Sequence, residues 1–412
     1  MNRKIKDIVM NAYTEVPFYV NAINGEGQSI VQSGFGNIPF TDKNTIIQSG
    51  DSVIARSYLP LFLAGKLKYD RTSGSSGKYM EIYWDKKDYM KSMTPLWLLR
   101  KKYYGISPSD KMCYFFTIFE NRIEEEKDEY LNGNVLAFSK INLSTPRIIE
   151  IYKKMCEFKP KWLILQPSIA VLLCQCIKKY SLEKLDSVEY VEFTSEILTE
   201  EVRNMTKETF DCRIADQYGA NEFNSIAYEC PCGNMHIMDS NVYVEIIDEE
   251  GNSVKNQKGE ICITTLTNHA MPLIRYRIGD IGQITDKVCS CGNKAPILSL
   301  MSGRKNDFVL CEDGTQITAY SFIRAIDNVN IKTDGVIKQF HIIQKKINKF
   351  EVTFVVDSDE EYDTYQLERL FIDSVQEDRL YEAEYKFSYE NKLLPDDRTG
   401  KFRYFMREPD ME

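Results

Sequence analysis

The segment that is most informative about the fold class extends from Ile148 to Lys179 and reads IIEIYKKMCEFKPKWLILQPSIAVLLCQCIKK. It contains an apolar-periodic segment from Ile148 to Phe158, a short apolar run from Trp162 to Leu165, and a second helix-like segment that opens at Ser168. Short apolar runs that alternate with longer helices are typical of a parallel sheet covered by helices. The same alternation continues through Val188 to Thr194, Thr199 to Phe210 and Arg213 to Asp216.

Two other patterns follow downstream. After Glu229 the sequence alternates as in Val242 to Ile247 and Glu260 to Thr265, which predicts an antiparallel layer. Past Gly303 come two strands, a helix and a last strand, at Val336 to Gln344, Phe350 to Val356, Tyr362 to Val375 and Glu382 to Ser388. We therefore predict an α/β protein with two domains. Residues 1–302 form a large domain of mixed and parallel sheets wrapped by helices plus the antiparallel layer, and residues 303–412 form a small mobile α+β domain.

Composition limits the classes of function. The 412 residues allow two to four domains, and a hydrophobic share of 43% supports packed cores. A formal net charge of -9 disfavours nucleic acid as a partner. The longest apolar run, Trp162 to Ile177, is interrupted by polar residues and shorter than the roughly 20 residues a bilayer needs, so no membrane segment is predicted. The basic start, Met1 to Asp7, has no apolar segment after it, so we expect no signal peptide and a cytoplasmic location.

The most informative local sequence is Thr72-Ser73-Gly74-Ser75-Ser76-Gly77-Lys78, which precedes the expected strand Met80 to Trp84. Glycines and hydroxyl residues expose backbone N–H groups without bulky side chains, and Lys78 adds a positive charge, so the segment suits a polyphosphate. Only two residues separate Gly74 from Gly77, so the spacing is not that of the Walker loop. A flexible linker is the alternative interpretation.

Polar residues also follow two of the expected parallel strands. They are Thr194-Ser195-Glu196 and Asp216-Gln217-Tyr218-Gly219. In parallel sheets, ligands bind beyond the carboxyl ends of the strands. The sequence therefore predicts a ligand site at these two strand ends.

Four motifs extend this pattern along the chain: Tyr218-Gly219-Ala220-Asn221-Glu222, Arg275-Tyr276-Arg277-Ile278-Gly279-Asp280, Gly303-Arg304-Lys305-Asn306-Asp307 and Arg398-Thr399-Gly400-Lys401. Together with the loop at 72–78, and in this order, they resemble the adenylate-forming enzyme superfamily. Within it the sequence is similar to the phenylacetate-coenzyme A ligase-like branch, including relatives from capsule biosynthesis. The resemblance spans nearly the whole chain. It implies that a carboxylate attacks the α-phosphorus of ATP, releasing pyrophosphate, and that a second nucleophile, often a thiol, captures the acyl-adenylate.

The resemblance assigns a role to each matching residue. The loop Thr72 to Lys78 corresponds to the β,γ-phosphate loop, and Glu222 to the acid that holds Mg²⁺. Asp280 corresponds to the carboxylate that bridges the ribose hydroxyls, while Arg304 would reach ribose or phosphate. Lys401 corresponds to the lysine that the small domain brings to the α-phosphate, where it stabilises developing charge. The residues expected to line the adenine and acyl pocket are Ser195, Glu196, Gln217, Tyr218 and Gly219. Ordinary structural or surface roles are the alternative for each.

The sequence departs from the family pattern in two places. Near the expected hinge, Arg304 to Asp307, Asn306 stands where the family usually has an acid. Because Lys401 belongs to the small domain, closure in the first half-reaction and a rearrangement in the second are expected. The segment Tyr114 to Phe119 lacks the glycines common in phenylacetate enzymes, so phenylacetate is not carried over as substrate. Aromatic residues such as Trp97, Tyr114, Phe115 and Phe116 favour an aryl or arylalkyl acid, with core packing as the alternative.

Two C-x-C-G segments point to a metal. They are Cys230-Pro231-Cys232-Gly233 and Cys289-Ser290-Cys291-Gly292. Glycine after the second cysteine lets the backbone turn so that both thiolates face one ion, and four thiolates form the tetrahedral set of a structural zinc. We predict a structural Zn²⁺ bound by Cys230, Cys232, Cys289 and Cys291, within a zinc-stapled insertion at 228–295. Replacement of one thiolate by His236, or four free thiols, stays open.

The leading hypothesis is an ATP- and Mg²⁺-dependent acyl-adenylate-forming ligase with coenzyme A as acceptor. Transfer to an acyl or peptidyl carrier-protein thiol, or to an amine, is the alternative, because Cys311 to Thr315 is closer to the capsule-related relatives. A non-catalytic nucleotide-binding scaffold is a third reading, which the joint presence of Lys401, Glu222 and Asp280 disfavours. The carboxylic acid is not identified by the sequence, and a homodimer stays open.

Overall fold

The computed structural model describes residues 3–22, 34–72, 80–116, 127–140, 143, 145–304, 308–312, 316–333, 335–356, 362–376, 380, 383–391, 393 and 404–408. The chain divides into two units. The first comprises Met1–Ser109, Glu192–Ser195 and Ala215–Met301. The second comprises Asp110–Val191, Glu196–Ile214 and Ser302–Glu412.

Helices and strands occupy most of the described chain. The helices are α1 (Arg3–Glu15), α2 (Pro17–Ala22), α3 (Lys43–Ser49), α4 (Leu59–Leu63), α5 (Lys86–Leu99), α6 (Thr145–Phe158), α7 (Pro167–Lys179), α8 (Glu200–Phe210), α9 (Tyr320–Lys332) and α10 (Thr364–Gln376). The strands are β1 (Lys68–Arg71), β2 (Glu81–Trp84), β3 (Met112–Phe116), β4 (Glu129–Asn132), β5 (Val135–Ser139), β6 (Trp162–Leu165), β7 (Tyr190–Thr194), β8 (Arg213–Ala220), β9 (Asn224–Glu229), β10 (Met235–Ile237), β11 (Val242–Ile247), β12 (Ser253–Val254), β13 (Gly259–Thr265), β14 (Tyr276–Thr285), β15 (Ile297–Arg304), β16 (Phe308–Leu310), β17 (Gln316–Thr318), β18 (Ile337–Lys346), β19 (Lys349–Val356), β20 (Glu384–Glu390) and β21 (Phe405–Arg407).

The first unit contains the antiparallel layer. Its strand order is β12-β11-β13-β14-β15-β10-β9-β8, with antiparallel pairing of β11 to β13, of β13 to β14, and of β9 to both β8 and β10. β1 and β2 form a separate hairpin. Ile82 and Trp84 of this hairpin are fully buried in one apolar cluster with Phe223, Ile261 and Ile263, so the hairpin packs against the layer.

The second unit contains the parallel sheet, in the order β7-β6-β3-β5-β4. β3 pairs in parallel with both β5 and β6, and β4 runs antiparallel to β5 at the edge. α6 buries Ile148, Ile151, Tyr152 and Met155, a spacing that places all four on one helix face. The predicted alternation of buried strands and amphipathic helices is therefore present.

The C-terminal part of the second unit is an α+β structure. Its sheet has the order β20-β19-β18-β21, in which β18 and β19 are antiparallel and both outer strands are parallel to their neighbours. Phe322 of α9 and Phe371 of α10 are buried in one core with Phe350 and Phe354 of β19. The predicted α/β class with a small C-terminal α+β part is confirmed, while the domain limits 1–302, 303–412 and 228–295 stay predictions. Within the described residues, no helix combines the length and apolar character needed to cross a membrane.

Candidate functional site

The base of the predicted phosphate loop is held by two hydrogen bonds between Thr72 and Met80. The Thr72 N–H donates to the Met80 carbonyl over 2.9 Å, and the Met80 N–H donates to Thr72 Oγ1 over 2.9 Å. β1 and β2 continue this pairing, with Arg71 opposite Glu81. The residues on either side of the loop, Thr72 and Met80, are therefore held next to each other. The remaining loop residues, Ser73, Gly74, Ser75, Ser76, Gly77 and Lys78, lie outside the described residues.

The turn between β8 and β9 lies beside the base of this loop. Asn221 Nδ2 donates to the carbonyl of Arg71, the last residue of β1. The next residue, Glu222, is buried, and its Oε1 accepts a hydrogen bond of 3.4 Å from the Tyr276 hydroxyl. The predicted magnesium ligand and the base of the predicted phosphate loop are therefore neighbours. Asn221 has no role in the sequence prediction, although it directly precedes Glu222 in the motif.

The ends of β7 and β8 meet, as the sequence predicts. Thr194 Oγ1 donates to Gln217 Oε1 over 2.8 Å, and the exposed Ser195 follows with a left-handed φ of 73°. Gly219 lies where the register of β8 and β9 shifts. A Cβ at Gly219 would come within 2.4 Å of the Asn224 carbonyl, so this position requires glycine for backbone packing.

Tyr218 and Asp280 form the best-defined pair of the predicted nucleotide site. The Tyr218 hydroxyl donates to Asp280 Oδ2 over 2.6 Å, and both residues are half-buried. Asp280 lies in a bulge of β14. Cys262 pairs with Arg277 and Glu260 pairs with Ile281, so a step of two residues along β13 corresponds to a step of four along β14. Gly279, with φ 86°, supplies the left-handed residue that this bulge uses. A carboxylate accepts several hydrogen bonds at once, so the pair suits a ligand that carries hydroxyls.

Two other predicted residues belong to the second unit. Glu196 accepts hydrogen bonds from the Ser168 N–H and Oγ, both 2.9 Å long. Ser168 lies in the first turn of α7, so the Glu196 carboxylate caps this helix and complements its dipole. Arg304 is the last residue of β15. The predicted catalytic Lys401, like Asn306 and Asp307, lies outside the described residues.

Arg275, which contributes to the sequence resemblance, has a structural role. Its guanidinium is buried against Glu245, with N–O distances of 3.1 and 3.2 Å. It also donates to the carbonyls of Gly36 and Ile38 and lies 4.1 Å from the centre of the Phe40 ring. The arginine therefore ties residues 36–40 to the antiparallel layer.

The predicted metal ligands are only partly brought together. The ligand atoms of Cys230, His236, Cys289 and Cys291 all lie within 4.8 Å of one another. Cys232 is exposed, and its Sγ accepts a hydrogen bond of 3.2 Å from the Ser290 hydroxyl, so it is not part of this cluster. Cys232 is outside the cluster because His236, on β10, occupies the fourth ligand position. The structure thus takes the alternative that the sequence left open, with His236 in place of Cys232.

Known proteins are similar to this chain in sequence. Residues 309–408 match the family described as the CapK C-terminal domain. A phenylacetate-coenzyme A ligase of Thermus thermophilus is 25% identical over 328 residues, which cover 74% of this chain and 70% of that protein. Protein CapK of Staphylococcus aureus is 22% identical over 352 residues, covering 84% of this chain and 74% of that protein.

Solved structures share the fold. A 2-hydroxyisobutyryl-CoA ligase in the postadenylation state, in complex with 2-HIB-AMP, matches with a TM-score of 0.72 at 16% identity, covering 99% of this chain and 88% of that chain. An anthranilate CoA ligase in complex with anthranoyl-AMP matches with a TM-score of 0.56 at 17% identity, covering 81% and 65%. The predicted resemblance to phenylacetate-coenzyme A ligase and CapK proteins is confirmed as sequence similarity, and the solved structures confirm the fold.

Proposed function

Because this chain is related to the adenylate-forming ligases of the phenylacetate-coenzyme A ligase and CapK type, we propose that it activates a carboxylic acid as an acyl-adenylate. The observation that carries the proposal is the clustering in the first unit. Asn221 contacts the base of the predicted phosphate loop, the buried Glu222 follows it directly, and Asp280 is paired with Tyr218. A loop for phosphates, an acid for a cation and an acid for hydroxyls are the groups that ATP binding requires.

In the proposed reaction, a carboxylate oxygen of the substrate attacks the α-phosphorus of ATP. The bond from this phosphorus to the bridging oxygen breaks, and pyrophosphate leaves with the electron pair. The protein contributes position and charge more than covalent chemistry. Ser73 to Lys78 bind the β- and γ-phosphates, Asp280 orients the ribose, and Lys401 stabilises charge at the α-phosphate. The Glu222 carboxylate suits Mg²⁺, which supplies neutralisation of phosphate charge when bound.

Coenzyme A is the proposed acceptor of the acyl group. The names of the phenylacetate-coenzyme A ligase and 2-hydroxyisobutyryl-CoA ligase relatives support this choice. Transfer to an amine or to a carrier-protein thiol is the second candidate, because residues 309–408 match the CapK C-terminal domain and Cys311 to Thr315 is closer to the capsule-related relatives than to the phenylacetate enzymes. We also propose that the protein binds a structural Zn²⁺. A cytoplasmic location and a homodimer stay predictions.

An aromatic or arylalkyl acid is the proposed substrate. Of the aromatic residues that the sequence singled out, Phe115 is buried against Phe138 and belongs to the core. Tyr114 and Phe116 are half-buried and both contact the ring of Tyr130, at centroid distances of 6.1 and 5.4 Å. These rings pack against one another, so the support for an aromatic acid is the name of the phenylacetate-coenzyme A ligase relative.

The test is ATP-pyrophosphate exchange with aromatic, aliphatic and amino acids supplied in separate pools. We expect exchange with one pool and its loss in Glu222→Gln, whereas Glu250→Gln, at an exposed turn, serves as the matched control. Silence in every pool, with ATP binding intact by calorimetry, would favour the non-catalytic scaffold. If exchange is present, capture of the adenylate by coenzyme A, by hydroxylamine as a model amine, or by a carrier protein then identifies the acceptor.

A further inference from the structure

We propose that Cys230, His236, Cys289 and Cys291 bind one structural Zn²⁺ as a three-thiolate, one-imidazole site that excludes Cys232. The four side chains come from the turn after β9, from β10 and from the connection between β14 and β15. All of them belong to the first unit. Three of the four are buried, and Cys291 is half-buried.

Two distances between ligand atoms are close to those of one tetrahedral ion, and all four atoms lie within 4.8 Å of one another. With Zn–S near 2.3 Å and Zn–N near 2.0 to 2.1 Å, tetrahedral angles require S–S separations of about 3.8 Å and S–N separations of about 3.6 Å. Cys230 Sγ and Cys289 Sγ are 3.7 Å apart, and Cys291 Sγ is 3.3 Å from His236 Nε2. A disulfide would need its sulfurs at about 2.05 Å, so the Cys230 and Cys289 pair is arranged for a shared ion and not for a bond.

The histidine is oriented for metal binding. His236 Nδ1 lies 2.8 Å from the Ala295 carbonyl, which can only accept, so the ring proton is on Nδ1. In this tautomer the lone pair of the ring is on Nε2, and Nε2 is the atom that faces Cys291. Metal-binding histidines commonly donate their other ring N–H to a carbonyl in this way, which fixes both tautomer and ring direction.

Donors around the sulfurs favour thiolates. Asn234 Nδ2 lies 3.3 Å from Cys289 Sγ, and the Asn293 N–H lies 3.4 Å from Cys291 Sγ. The Tyr103 hydroxyl lies 4.0 Å from Cys291 Sγ on another side. N–H and O–H groups aimed at sulfur stabilise the charged form that a metal requires.

Register explains why His236 and not Cys232 completes the set. His236 pairs with Tyr228 of β9 on one side and with Ile297 of β15 on the other. β9 ends directly before Cys230, and the connection that carries Cys289 and Cys291 leads into β15, so the histidine is held between these two segments. Cys232 lies in a turn closed by the Gly233 N–H and the Cys230 carbonyl, and it is exposed. Four protein ligands leave no open coordination position, so the ion is structural.

The experiment compares metal content among variants of the full chain, purified without added metal. We expect about one equivalent of zinc in the wild type and in Cys232→Ser, and less than about half in Cys289→Ser and His236→Ala. His236→Cys is the control that separates loss of a ligand from misfolding, because it offers a fourth thiolate and should retain the metal. After exchange of zinc for Co²⁺, the thiolate charge-transfer absorption should be stronger in His236→Cys than in the wild type and unchanged in Cys232→Ser.

Two results would overturn the proposal. Loss of zinc from Cys232→Ser with full retention in His236→Ala would mean that the four cysteines are the ligands. A wild type that carries no zinc and does not take it from a chromophoric chelator would mean that no site exists. Both results are independent of turnover, so they can be read whether or not the protein forms an adenylate.

Discussion

The Cys/His cluster and one part of the predicted nucleotide site, formed by Tyr218, Glu222 and Asp280, lie in the first unit. The structure describes the cluster more completely than the nucleotide site. The four ligand atoms of the cluster lie within 4.8 Å of one another, so the arrangement can be judged directly against one ion. In the predicted nucleotide site, Tyr218 contacts Asp280 and Tyr276 contacts Glu222, whereas residues 73–78 and Lys401 lie outside the described part of the chain. A small ion needs all its ligands at one point, whereas a long ligand is bound by groups that need not touch. Distances between side-chain atoms therefore identify a metal site more directly than a nucleotide site.

The largest expected effect comes from Lys401, the residue proposed to stabilise charge at the α-phosphate. Lys401→Ala should lower the rate of adenylate formation by about 10²- to 10³-fold, the usual loss when one group that stabilises transition-state charge is removed. ATP binding by calorimetry should change little. The matched control is Lys386→Ala, an exposed lysine of β20. An unchanged rate in Lys401→Ala would sink its assigned role while leaving the metal cluster untouched.

Removal of the proposed zinc should have the next largest effect, this time on stability. The three segments that meet at the cluster share a small apolar core of Cys230, Cys289 and Ile297, with Tyr103 and Cys291 packed against it. A ligand present at about 100 times its dissociation constant contributes about 2.7 kcal/mol to the folded state. A chelator should therefore lower the melting temperature of the wild type by several degrees, as measured by calorimetry, and should not affect Cys289→Ser further. An equal shift in both proteins would assign the effect to the chelator.

A smaller effect is expected from the hydroxyl of Tyr218. Tyr218→Phe removes one hydrogen bond to Asp280, which at about 1 kcal/mol corresponds to about fivefold weaker ATP binding. Asp280→Ala should weaken binding more, because it removes the whole carboxylate. The maximum rate with saturating ATP should stay within about twofold in Tyr218→Phe, since the hydroxyl is proposed to hold Asp280, which binds ribose, and not to act on phosphorus. A large loss of rate without loss of affinity would assign Tyr218 to another role.

Periodicity and motif order predicted the fold well but not the details that complete each site. β6 and β11 begin and end at the predicted residues, because buried strands appear as apolar runs. α6 begins earlier than predicted, at Thr145, since its first turn is not apolar and its second residue, Pro146, is tolerated there. The bulge at Asp280 and the choice of His236 depend on which strands pair and in which register. Spacing along one chain does not contain that information.

The smallest expected effect concerns a pair outside both sites, which shows how a contact behaves when no ligand is involved. His269 Nδ1 lies 2.9 Å from Asp88 Oδ2. The hydrogen bond to Asp88 raises the pKa of His269, against the opposing effect of burial. Burial raises the pKa of Asp88, but the hydrogen bond and charge of His269 outweigh it and lower the pKa below its ordinary value.

The sign of the pH dependence follows from these two shifts. The raised pKa of His269 stabilises the folded state below the unfolded value near 6.5, and this contribution is lost as pH rises through the folded pKa. The lowered pKa of Asp88 stabilises it above the unfolded value near 3.9, and this contribution is lost as pH falls through the folded pKa. The pair should therefore contribute most between about pH 4 and pH 6.5, and at most about 1 kcal/mol because His269 is partly exposed. Melting temperatures of the wild type and His269→Gln should differ most in this window and converge toward pH 9. A difference that does not change with pH would mean that His269 acts by packing alone.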